Sequence, residues 1–307
     1  MRFRCGSIHH RVGLVLQLIL VTSRCQAQDG DTAFLESGSL IRKVQAEQGG
    51  GSTLFRWSSE DPNRPDPGIA ETITTDRPDF TEASSTVGAG VLQVEMGYTF
   101  SHDDSAGLTT ESHSLPETLF RYGTPIDWLE LRLAANHLRE HSGGGTVSGA
   151  EDLYLGAKLG LTLQDGLRPE MSIIPQMTVP SGADGLSGNR VLPGLNWLYG
   201  WDINDFLSTA GSTQFNHAVD GGTGGPNTEW AQSWTVGYSL HDRVSAYTEW
   251  FVLIPHSAET TPTQHYANGG FTVLLSDDIQ WDIRAGMGLN DAADDLFLGT
   301  GLSVRYR

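Results

Sequence analysis

The chain has 307 residues, with 19 Lys+Arg against 37 Asp+Glu and a formal net charge of −18. That balance excludes a general nucleic-acid binder, which needs a basic face to neutralise phosphates. With 37 Gly, 8 Trp, 8 Tyr, 11 Phe and only 2 Cys, the composition suits a Gly-rich, aromatic-rich β protein.

In chain order, Arg2, Arg4 and Arg11 precede an apolar stretch from Val12 to Val21, and Cys25-Gln26-Ala27 follows. This reads as a secretory signal over residues 1–27, cleaved after Ala27; the apolar stretch is too short for a helical membrane span, which needs roughly 18 to 20 apolar residues. Acylation at Cys25 is the alternative, disfavoured by the bulky Arg24 before it. Cys5 and Cys25 both lie in the removed part, so the exported chain is expected to hold no disulfide, no Cys-ligated metal and no Cys nucleophile. Residues 28–88 read as a periplasmic linker or plug segment, largely disordered. Gly49-Gly50-Gly51-Ser52 and the Pro-rich run from Asp61 to Gly68 are linker-like, and Phe34 to Gln48 could form a short helix.

From residue 89 the chain is written in period two. Leu92, Val94, Met96, Tyr98 and Phe100 alternate with Gln93, Glu95, Gly97 and Thr99. The same alternation recurs through Leu129–Ala135, Leu153–Leu163, Leu195–Ile203, Trp230–Leu240, Ile279–Leu289 and Leu296–Tyr306. Weaker strands lie near 114–122, 170–179, 206–216, 244–254 and 265–275, for about twelve in all.

Alternation alone fits both a soluble β-sandwich and an outer-membrane barrel. The strand length of about 9 to 12 residues matches a tilted membrane-spanning strand. The connections alternate: 123–127, 164–168, 204–205, 241–243 and 276–278 are short, whereas 102–113, 141–149, 181–192, 217–228 and 255–264 are long and polar. Bacterial barrels have short periplasmic turns and longer outer loops. Aromatics form two candidate girdles, Tyr122, Trp201, Tyr238, Trp281 and Tyr306 at the short-turn end and Phe100, Trp197, Phe215, Trp230 and Tyr266 at the other. A charge at mid-bilayer costs roughly 2 to 4 kcal/mol for Arg or Lys, against a typical net stability of about 5 to 15 kcal/mol. The polar faces carry about a dozen charges, so they must face inward. The expected fold is therefore all-β, a transmembrane up-and-down antiparallel barrel of about 12 strands over residues 89–307.

The run Thr75-Asp76-Arg77-Pro78-Asp79-Phe80-Thr81-Glu82 leads into Leu92-Gln93-Val94-Glu95-Met96-Gly97-Tyr98. Pro116–Gly123, Leu129–Leu133, Asp152 and Lys158 within Glu151–Gly160, and Val179–Gly182 follow. Together they resemble the MetA-pathway phenol-degradation family over roughly residues 75 to 307. That resemblance implies an outer-membrane barrel channel associated with uptake of aromatic or other small hydrophobic compounds.

A lumen of about twelve strands lies between the filled eight-stranded and the wide sixteen-stranded cases, so a narrow, partly plugged pore is expected. Glu95, Glu117, Arg121, Glu130, Arg132, Asp152, Lys158, Asp282 and Arg284 are the lumen-lining candidates. They either orient solutes or satisfy one another as a ladder of paired charges. Asp76, Arg77 and Asp79 either cap the periplasmic mouth or form an ordinary turn around Pro78. His137 and His141, His102-Asp103-Asp104, His217 with Asp220, and Asp291 with Asp294 and Asp295 lack the geometry of a catalytic or metal constellation. No enzyme activity, metal site or cofactor is expected. The leading function is a passive channel for small solutes; a structural or adhesive barrel with acidic loops and a soluble β-sandwich are the alternatives. Expected partners are outer-membrane lipid, the barrel assembly machinery and a small solute, and the expected location is the outer membrane.

Overall fold

The structure is a computed structural model that describes Thr53, Leu54, residues 72–105 and residues 107–307. The expected signal over 1–27 and helix over Phe34 to Gln48 lie outside the described residues.

Fifteen strand segments follow one another: β1 (Leu92–Ser105), β2 (Leu108–Ser114), β3 (Thr118–Gly123), β4 (Leu129–Ala135), β5 (His137–Ser142), β6 (Gly145–Ala150), β7 (Leu153–Thr162), β8 (Glu170–Val179), β9 (Leu192–Asp202), β10 (Leu207–Val219), β11 (Pro226–His241), β12 (Val244–His256), β13 (Gln264–Ser276), β14 (Ile279–Gly288) and β15 (Leu296–Tyr306). Three pairs are single strands interrupted once: β2 runs on into β3, β5 continues β4 past Asn136, and β6 runs on into β7. The pairings show this, because β1 bonds to both β2 and β3, while β5 bonds to β2 and β6 as β4 bonds to β3 and β7. The result is a twelve-stranded antiparallel barrel, closed by β1 on β15 from Leu92↔Tyr306 to His102↔Leu296. One closed sheet excludes the two-sheet sandwich.

Burial is inverted relative to a water-soluble protein. Leu131 is 48% exposed and Trp234 44%, while Glu130 and Lys158 are 0% exposed. The greasy face of each strand points outward around the whole circumference and the charged face inward, as a hydrocarbon surround requires. Two expectations are corrected. The stretches 102–113 and 141–149 are not loops: β1–β2 and β5–β6 continue as hairpins with tight turns. Their alternation turns polar where lipid ends, but the backbone ladder goes on. Tyr266 is no girdle residue. It shares its parity with Gln264 and Asn268, faces inward, and stacks on Phe251 at 4.7 Å.

Candidate functional site

The lumen is occupied by the chain's own residues 72–90. The segment starts at a short turn, where the Ile73 amide donates to the Asp277 carbonyl at 2.7 Å. Gln93 Nε2 holds the Thr74 carbonyl at 2.8 Å and Gln280 Nε2 holds Thr75 Oγ1 at 2.6 Å. The segment reaches furthest at Phe80, whose ring stacks on Phe251 at 4.5 Å and 3°. It returns along β4, with the Val87 amide on Glu130 Oε2 at 2.9 Å, and leaves at the same mouth through Gly90 N on Gly123 O at 2.8 Å.

Three clusters hold it. In the first, Asp76 sits among Arg121 (3.3 Å), Arg132 (2.7 Å) and Lys158 (3.0 Å). Its amide donates to Glu95 at 3.0 Å. Arg121 spans Glu95 and Glu130 at 3.0 and 2.9 Å, and Arg132 spans Glu130 and Glu82 at 2.9 and 2.5 Å. Burial opposes the charge on Asp76, yet the three cations hold its carboxyl well below the usual range.

In the second, the Arg77 guanidinium makes a two-point contact with Asp282, both bonds 3.2 Å, and a third with Glu117 at 3.1 Å. Its seat is written into the strands. Gly97 of β1 stands opposite Gly301 of β15, which stands opposite Asp282 of β14. A Cβ at either glycine would overlap the guanidinium.

In the third, Glu249 accepts the Phe80 and Thr81 amides, both 2.8 Å, the Thr81 hydroxyl at 2.7 Å and Asn268 Nδ2 at 2.7 Å. Asp79 lies beside it; burial first, and then the Glu249 carboxylate, raise its pKa well above the ordinary value, although part of its surface is open. The Arg284 guanidinium closes the ring by donating to the Pro78 carbonyl at 2.8 Å.

An extended peptide with no strand partner must satisfy its backbone groups some other way. Here the lumen carboxylates do so. The dependence is mutual, because Asp282 has Arg77 as its partner cation and Glu249 draws three of its four donors from Phe80 and Thr81. Buried charge without partners is costly, so removal of the segment requires water to take its place.

The lumen candidates Glu95, Glu117, Arg121, Glu130, Arg132, Lys158 and Asp282 are buried in this network, and Arg284 joins it. Asp152 does not: it sits at the long-loop rim and accepts the amides of Ser181, Gly182 and Gly188 at 3.0, 2.9 and 2.9 Å. Asp76, Arg77 and Asp79 lie inside the lumen rather than at its mouth, and residues 72–88 are threaded rather than disordered, because the lumen charges supply partners that no local turn offers. The sequence places Glu249 on an inward charged face without singling it out, and it does not single out Gly97, Gly301, Phe80, Thr81 or Glu82 as site residues. The signal for the glycines was their place on the inward parity.

A sequence profile described as "Putative MetA-pathway of phenol degradation" matches residues 75–306. The chain belongs to that family. The matched span holds nearly all of the threaded segment as well as the barrel. No curated protein matches the chain in sequence. Among solved structures, the barrel is similar to the NanC porin (11% identity, 69% of this chain and 98% of that chain, TM-score 0.44). It is likewise similar to the translocator domain of the autotransporter NalP from Neisseria meningitidis (11%, 71% and 89%, 0.48) and to the KdgM porin (11%, 69% and 99%, 0.42). These likenesses concern the fold alone.

Proposed function

We propose that the protein is an outer-membrane channel for small solutes, gated by residues 72–90 of its own chain. The observation that supports this most is the threaded lumen. A peptide that enters and leaves by one mouth, held by hydrogen bonds, ion pairs and one ring stack rather than by strand pairing, can withdraw without breaking the barrel.

The proposed solutes are small aromatic or otherwise hydrophobic compounds. Phe251, Tyr266 and Phe297 form an aromatic wall, with the Arg284 guanidinium 5.4 Å from the Phe297 ring. Phe80 covers that wall in the stacked arrangement an aromatic solute would adopt, so solute and segment compete for one surface. The family description, which names phenol degradation, points the same way. The proposed route to the membrane is export by the segment 1–27, followed by insertion through the barrel assembly machinery.

Liposome swelling with a sugar and with an aromatic acid tests the reading. The full chain is expected to admit the aromatic acid faster than a sugar of similar size. The filled lumen also fits a purely structural barrel, for which neither solute would enter, with or without the segment's contacts intact.

A further inference from the structure

Beyond the bilayer level, β1, β2, β5 and β6 continue as a four-stranded extension, and its outward face is unlike the rest of this acidic chain. Phe100, in the upper girdle, stands opposite His113, which stands opposite Arg139. One step higher, His102, Glu111 and His141 form a row across the same strands. Four of the chain's 10 histidines, His102, His113, His137 and His141, share this face. His113, His137 and His141 border an open groove of about 590 Å³ whose floor is Tyr98 and Leu115, the latter 55% exposed.

Several of these groups are already held. Tyr98 OH meets His113 Nδ1 at 2.7 Å, His102 pairs with Glu111 at 3.7 Å, and His141 Nδ1 meets Thr146 Oγ1 at 3.0 Å. The Arg139 guanidinium and the His137 ring are exposed and have no hydrogen bond or ion pair among the described residues. An apolar floor continuous with the lipid-facing belt, under a rim of exposed donors, fits an amphiphile with its chain below and an anion above. Guanidinium recognises phosphate by two parallel bonds.

We propose that this groove binds the phosphate-bearing headgroup of an outer-leaflet lipid. Arg139 is its principal partner, and His113 and His137 are further donors. The proposal uses the membrane placement of the barrel but not its channel activity, so loss of either leaves the other standing.

The test is titration of the full-length protein, in nonionic detergent, with bisphosphorylated lipid A, followed by native mass spectrometry. The double variant Arg139→Gln/His113→Gln should bind at least about tenfold more weakly, with heat-modifiable gel mobility reporting an intact barrel. Glu111→Gln, which removes the one opposing carboxylate in the groove, should bind severalfold more tightly, a gain that misfolding does not produce. Dephosphorylated lipid A should bind no better than the double variant binds the parent lipid, and inorganic phosphate should not compete at millimolar concentration. Unchanged binding by the double variant or by Glu111→Gln, equal binding of the dephosphorylated lipid, or competition by inorganic phosphate would each overturn the proposal.

Discussion

Replacing Arg77 by alanine removes one side chain from the threaded segment and leaves Asp282 and Glu117 facing each other's charge. Among the guanidinium's bonds are two to Asp282 and one to Glu117, of 3.1 to 3.2 Å, and it and both carboxylates are nearly inaccessible to solvent. Charge-assisted bonds contribute about 1.5 to 3 kcal/mol each. Their sum overstates the loss, because water enters once the segment withdraws. Breaking a buried pair by deleting one partner costs about 3 to 5 kcal/mol. That cost falls on the threaded state alone, since the withdrawn state hydrates the two carboxylates. At about 1.4 kcal/mol per decade, the ratio of withdrawn to threaded molecules should rise by roughly two to three and a half orders of magnitude. Single-channel recording in a planar bilayer reads this directly: wild type should be closed nearly all the time, and Arg77→Ala should open frequently. Arg77→Lys keeps the charge but loses the planar fork, and should fall between the two. If Arg77→Ala is as closed as wild type, in a barrel with unchanged heat-modifiable mobility, the segment is not held as described.

The same seat can be attacked from the barrel side. Gly97→Val places a side chain where the Arg77 guanidinium lies and meets no barrel backbone at its Cβ, and should reproduce the open phenotype of Arg77→Ala with the segment's own sequence unchanged; closed currents would count against the seat. Phe80→Ala uncovers the Phe251 wall and should raise the permeability ratio of aromatic acid to sugar in swelling assays; a fall in that ratio would contradict the competition between solute and segment. Asp79, whose pKa is raised in the threaded state, makes that state bind a proton the withdrawn state has lost. Above the ordinary carboxylate value near 3.8, rising pH should therefore favour withdrawal, by at most about tenfold per pH unit for one proton, up to the raised value. Asp76, held low, acts in the opposite sense, and its contribution fades only as pH falls below its ordinary value, also near 3.8. Open probability should climb with pH in wild type and lose that slope in Asp79→Asn; a slope that survives the substitution would assign it to another group.

The barrel was legible because a membrane strand has two faces in two solvents. Glu130-Leu131-Arg132-Leu133 states both environments in four residues, and the structure buries Glu130 and Arg132 and exposes Leu131 and Leu133. The threaded segment was not legible as threaded, because an extended peptide held by carboxylates has no period of its own. Its polar residues look the same in a loop as in a lumen. Phe80 carries no mark of a ring partner on β12, and Glu249 sits 169 residues away in sequence. The hairpin extensions of β1–β2 and β5–β6 were read as loops for a related reason. Polar alternation past the lipid boundary has no buried face to declare it. Asp152 has the parity of an inward residue but lies beyond the level where parity decides, at a break between β6 and β7.

The decisive measurement is on the gate itself. Thr81 Oγ1 and Ser233 Oγ lie 2.6 Å apart, one on the segment and one on β11. Side chains that meet at this distance suit a disulfide in the double variant Thr81→Cys/Ser233→Cys. Currents and solute uptake should vanish when the pair is oxidised and return on reduction, while the single variants respond to neither treatment. An oxidised, fully cross-linked channel that conducts as well as the reduced one would show that solutes pass with the segment in place.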